Sequence, residues 1–141
     1  MSKLLQRLSD PAKNGVYRVA KAEAVIDAVK GSGLHIARVT LRSGDGKAEV
    51  LRQLANGLAF PSWFGGNWDA LEDCLADLSW STAMGEVVVI EGAAGAIADD
   101  IGVLRDILST TASNWSERRR PFFAVFIGAD PALQELHRES K

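Results

Sequence analysis

Apolar positions recur along this chain with two alternating periods, and the alternation sets the expected order of elements. Gly15 to Ala20 (GVYRVA) is short and β-prone, and Ala22, Val25, Ile26 and Val29 follow as a helical stripe that stops before Gly31. Leu34 to Leu41 (LHIARVTL) alternates apolar with polar and carries β-branched residues, then ends in the turn-forming run Ser43, Gly44, Asp45 and Gly46. Val50, Leu51, Leu54 and Leu58 return to the three-and-four spacing, so a helix is expected from Lys47 to Ala59, broken by Pro61. A second helix follows over Asn67 to Leu78, with Leu71, Cys74, Leu75 and Leu78 on one face. Glu86 to Ile90 (EVVVI) is the short apolar run of a strand covered on both sides. A long helix is expected from about Ile97, with Ile101, Leu104, Leu108 and Trp115 inward. Pro121 ends it before a last buried strand, Phe122 to Ile127 (FFAVFI).

Strands alternating with helices predict an α/β fold, a small and mostly parallel sheet of about three to four strands packed against helices. The 141 residues suit a single domain, 1–141, with no repeat, low-complexity run or linker. One cysteine excludes an internal disulfide, and His35 and His137, 102 positions apart, leave no Cys/His spacing for zinc. No metal, cofactor or catalytic pairing is therefore expected. The opening MSKLLQRLSDPAKNG contains no apolar stretch of signal-peptide length and no run elsewhere approaches a membrane span, so a cytoplasmic protein is expected.

Charge changes the picture. Net charge is −2, yet between Arg52 and Arg105 there is no Lys or Arg and there are eight carboxylates. Four of them, Asp69, Glu72, Asp73 and Asp77, fall in the Asn67 to Leu78 helix. At 100° per residue Asp69, Asp73 and Asp77 lie opposite the leucines, with Glu72 beside them. Like charges four apart repel by about 0.2 to 0.5 kcal/mol per pair. Nothing cationic within the segment relieves them, so water or a cationic partner must answer this face. Nucleic acid is disfavoured as its ligand, since phosphates require Lys or Arg. For Asp69 and Asp73 taken alone, a solvated helix face is the commoner explanation.

The stretch WFGGNWDALEDCL, Trp63 to Leu75, is similar to the signature of the barstar family, small intracellular inhibitors of bacterial ribonucleases. The order of elements around it is similar as well, so the likeness covers roughly residues 34–128, with the strand and helix of 15–31 as an N-terminal extension. The resemblance implies an inhibitor, not an enzyme, whose acidic helix and preceding turn plug a ribonuclease site lined with cations. Asp73 takes the role of an RNA phosphate, with Asp69 as its partner near the helix start. The implied contact set is Trp63, Phe64, Gly65, Gly66, Asn67, Trp68, Asp69, Glu72, Asp73, Ala76 and Asp77. Asn67 doubles as the N-cap, and Trp63, Phe64 and Trp68 supply apolar area. The implied partner is a bacterial, barnase-like ribonuclease bound one to one, with neither nucleic acid nor membrane involved.

Departures from the family pattern concern the periphery. Glu72 stands where the pattern has an aromatic, Gly66 where it has an acid, and a carboxylate of its last helix falls near Ser109 or Thr110. An acidic adaptor for some other basic protein is the alternative reading. Paired carboxylates doing acid–base work, as in glycoside hydrolysis, are a third, disfavoured by the lack of a cleft. Cys74 reads as a small buried hydrophobe, Trp80 and Trp115 as core. Arg118, Arg119 and Arg120 read as cations at the dipole of the helix they follow.

Overall fold

A computed structural model describes residues 2–136; His137 lies outside the described residues. Its elements are α1 (Lys3–Leu8), β1 (Gly15–Val19), α2 (Ala22–Val29), β2 (Leu34–Thr40), α3 (Lys47–Gly57), α4 (Trp68–Asp77), β3 (Gly85–Glu91), α5 (Ala98–Glu117), β4 (Phe122–Ile127) and β5 (Gln134–Glu135). The strands form one parallel sheet in the order β2-β3-β4-β1-β5.

The sheet is buried on both sides, as continuous apolar strands require. Val87 and Val89 of β3, with Phe123 and Val125 of β4, pack against Leu4 and Leu8 of α1 and Val25 and Val29 of α2. Val88, Ile90, Phe122, Ala124 and Phe126 point the other way, into a core filled by α3, α4 and α5. The N-terminal strand completes the sheet. Register pairs run from Gly15↔Phe123 to Val19↔Ile127, which makes β1 an interior strand.

Three features differ from the sequence expectation. There are five strands among the described residues, not three to four, because β5 adds two residues to the free edge of β1 through Tyr17↔Gln134 and Arg18↔Glu135. A two-residue strand has no periodicity to read. Helix α1 also went unread; it spans six residues, started by Ser2, whose hydroxyl accepts the Leu5 N–H at 3.0 Å, and held by the burial of Leu4 and Leu8. Helix α3 stops at Gly57, ahead of Pro61, because the chain turns at Leu58 and then Ala59, whose φ of 55° is left-handed.

The fold fixes α4 firmly. Leu71 and Leu75 are fully buried in the core and Leu78 follows at 2 % exposure. Three such leucines contribute roughly 1.5 to 3 kcal/mol each. Repulsion among the aspartates totals about 1 kcal/mol, so burial decides the orientation of the helix and its charge faces outward.

Candidate partner-binding face

The face is built from the turn after α3 and the outer side of α4. Asn67 takes an extended backbone (φ −135°, ψ 173°) and its side-chain oxygen accepts the Ala70 N–H at 2.7 Å, which starts the helix one residue later. Asp69 then sits in the first turn, where the helix dipole favours a negative charge. Asp69, Glu72, Asp73, Ala76 and Asp77 are all exposed, and none of the four carboxylates makes an ion pair or side-chain hydrogen bond among the described residues. Cys74, on the opposite face, registers their field: burial pushes its thiol pKa up, and Asp73 and Asp77 push it further the same way.

The turn divides the three expected aromatic contacts. Trp63 is 63 % exposed, whereas Phe64 and Trp68 are half-buried against the core. Phe64 belongs to an aromatic cluster, its ring 5.0 Å from Phe60, which in turn meets Trp80 edge-on at 6.0 Å. Trp63 is thus the aromatic with its ring free. The two glycines also separate. Gly66 has a φ of 70°, which side chains rarely adopt, while a Cβ on Gly65 would meet only ordinary contacts at 3.6 Å.

The C-terminal end of α4 is held by α5. The buried Trp115 indole N–H donates to the Leu75 carbonyl at 2.7 Å, and Arg118 donates to the Ala76 carbonyl at 2.9 Å with its guanidinium 4.5 Å above the Trp115 ring. The arginine run does more than follow its helix: Arg118 is the C-cap residue of α5, and its side chain reaches the end of α4, 42 positions away. Arg119 takes a left-handed turn at φ 60°, and Arg120 goes inward to Glu86 at 2.8 Å. Asn114, Trp115, Glu117, Arg118 and Ala76 line the shallow cleft where α4 meets α5. Ser109 and Thr110, near which the family pattern has a carboxylate, are exposed one to two turns earlier on α5.

One cluster was missed. Glu86 is 1 % exposed, and its carboxylate takes His35 Nδ1 at 2.7 Å, the Ser81 hydroxyl at 2.7 Å and Arg120 at 2.8 Å. A carboxylate opening an otherwise apolar strand was the available signal, since a buried charge demands partners. His35 and Ser81 both turn to Glu86 and not to each other, so the cluster ties β2, β3 and the start of β4 together without pairing a nucleophile with a base. Trp80 behaves as expected of a core residue, its indole N–H on the Leu58 carbonyl at 3.0 Å. Among the described residues no group of three His, Cys, Asp or Glu could hold a metal, and no helix is long and apolar enough to cross a membrane.

Fold and face together define a small parallel α/β protein that presents a rigid acidic helix. The family model described as Barstar (barnase inhibitor) matches residues 34–127, from the first residue of β2 to the last of β4, and the chain belongs to the barstar family. No curated protein matches it.

Proposed function

We propose that this protein is a cytoplasmic inhibitor of a bacterial, barnase-like ribonuclease, binding it one to one and covering its basic active site with α4 and the turn before it. The observation that carries this reading is the outer face of α4: exposed carboxylates on a helix capped at both ends, none of them held in an ion pair among the described residues. Asp73, at the middle of that face, takes the place of an RNA phosphate and accepts charge-assisted hydrogen bonds from the enzyme's cations. Asp69 extends the same row one turn toward the N-cap. Trp63, with Phe64 and Trp68 behind it, supplies apolar contact, and Gly65, Gly66 and Asn67 bring backbone close to the enzyme. Glu72, Ala76 and Asp77 form the rim, where partner preference is set. Inhibition is by occlusion, without turnover.

The test is a titration of ribonuclease activity. Wild-type protein should abolish it at one equivalent. Asp73→Ala strands the enzyme's cations without a partner, and breaking a buried pair in this way costs about 3 to 5 kcal/mol. Affinity should therefore fall at least a hundredfold, with circular dichroism unchanged and melting no lower than wild type, because Asp73 makes no ion pair among the described residues and its loss relieves repulsion on α4. An Asp73→Ala protein that inhibits as well as wild type sinks the assignment. Capture of a basic partner that does not cleave RNA would favour the adaptor reading instead.

A further inference from the structure

The last turn of α4 poses a local problem. A helix leaves its final carbonyls without intrahelical partners, and here the concentrated negative charge of Asp73 and Asp77 lies at that same negative end of the dipole. Leu78, the C-cap, is in the left-handed region at φ 46° and its N–H returns to Cys74. The next two carbonyls, Leu75 and Ala76, are taken by Trp115, from the last turn of α5, and Arg118, the residue that caps it. The contacts interlock: the Arg118 guanidinium lies 4.5 Å from the Trp115 ring centre and that of Arg120 lies 5.2 Å from it. Arg120 is itself fixed by the buried Glu86. Position, hydrogen bonding and charge at the end of the acidic helix therefore depend on two side chains that lie off its binding face.

We propose that Trp115 and Arg118 are positioning residues for the acidic face, a clamp that pre-organises α4 for its partner, with Arg118 also moderating the face's charge. This rests on the proposed binding role of α4. The physical argument is that association loses affinity to whatever ordering it must impose. At ten residues α4 is shorter than a helix that is stable by itself, so its final turn keeps its shape only if something outside it holds the carbonyls. Trp115 does so from the core and Arg118 from the surface. The two roles of Arg118 act with opposite sign. Its hydrogen bond favours a lasting complex, whereas its charge opposes the approach of a cationic site.

Three variants separate these effects: Trp115→Phe keeps the ring and removes the N–H, Arg118→Gln removes charge and fork, and Arg118→Lys keeps the charge. In the free protein, native-state amide exchange should show residues 71–77 losing about tenfold in protection in Trp115→Phe and Arg118→Gln, with β3 and β4 unchanged. Against a ribonuclease that wild type inhibits, Trp115→Phe should raise the dissociation rate by a similar factor at constant association rate. Arg118→Gln should raise both, association at low salt by roughly twofold, the effect of one charge about 10 Å away in water. Arg118→Lys should restore the wild-type association rate. Unchanged exchange at 71–77 overturns the clamp, as does a loss of protection spread evenly over the sheet, or lost protection with an unchanged dissociation rate. If Trp115→Phe does not fold, the surface variants at Arg118 decide alone. Should wild type inhibit no ribonuclease, the exchange data still judge the clamp, and the failure belongs to the proposed partner.

Discussion

Cys74 shows at the scale of one residue how the two faces of α4 constrain each other. Its side chain is fully buried beside Leu71 and Leu75, and both burial and the nearby aspartates raise its pKa above the ordinary 9.0. The unfolded thiol therefore loses its proton first. The stability this group contributes is complete below about pH 9 and declines as pH rises through 9 toward the folded value. Tyr17, raised by burial from 10.0 and donating to the Lys13 carbonyl, acts in the same direction one step later. Urea midpoints should accordingly fall from about pH 9 upward, and Cys74→Ala should delay the onset to the range where Tyr17 titrates. A thiol reagent at pH 8 should label the native protein far more slowly than the urea-unfolded chain; equal labelling rates would rule out the buried assignment. Cys74 was legible from sequence because its position on a three-and-four stripe is a local fact. Glu86 stood out as a carboxylate opening an apolar strand, but its partners His35 and Arg120, 51 and 34 positions away, were not legible because no local pattern joins them.

Among the elements, α4 depends on its ends. Ten residues cannot sustain a helix on propensity, so the N-cap carries weight that it would not in α5, which spans twenty. Asn67→Ala should destabilise the protein by about 1 kcal/mol in chemical denaturation, while Asn67→Asp, an equally good cap, should leave stability within a few tenths of that of wild type. A loss with Asp as large as with Ala would mean that the Ala70 hydrogen bond is not what matters. The same contrast explains which elements the sequence revealed. Helices α2 to α5 and strands β1 to β4 bury one stripe or a whole run, and the periodicity records it. Helix α1 and strand β5 are held by what they dock against, Leu4 and Leu8 under α2 in one case and the edge of β1 in the other. In the proposed binding face, the Asn67 cap and the outward position of Asp69 and Asp73 were legible because charge and capping are local. The split between exposed Trp63 and half-buried Phe64 and Trp68 was not, nor was the reach of Trp115 and Arg118 across to α4.

Over the whole molecule, the net charge of −2 describes the surface poorly because the charges are unevenly placed and several arginines are tied to carboxylates away from α4. Arg38 pairs with Glu91, Arg52 with Glu49, Arg105 with Asp130 and Arg120 with Glu86. Two of the eight carboxylates of the cation-free segment, Glu86 and Glu91, are thereby neutralised within the fold, and the four on α4 are not. A field of this kind reaches a cationic enzyme before contact, over about 30 Å at 0.01 M salt but about 10 Å at 0.1 M. Steering of that sort raises association rates by roughly 10- to 1000-fold and is lost as salt rises, whereas dissociation depends on contacts that salt screens little. Association with an inhibited ribonuclease should therefore slow at least tenfold between 0.01 and 0.5 M salt, with a much smaller change in the dissociation rate. Asp77→Asn, at the rim, should lower the association rate at low salt and flatten its salt dependence, while Asp73→Ala should act mainly by speeding dissociation. Stopped-flow mixing resolves both rates. An association rate indifferent to salt would remove the acidic helix from any role in encounter, leaving shape and the Trp63 turn to account for recognition.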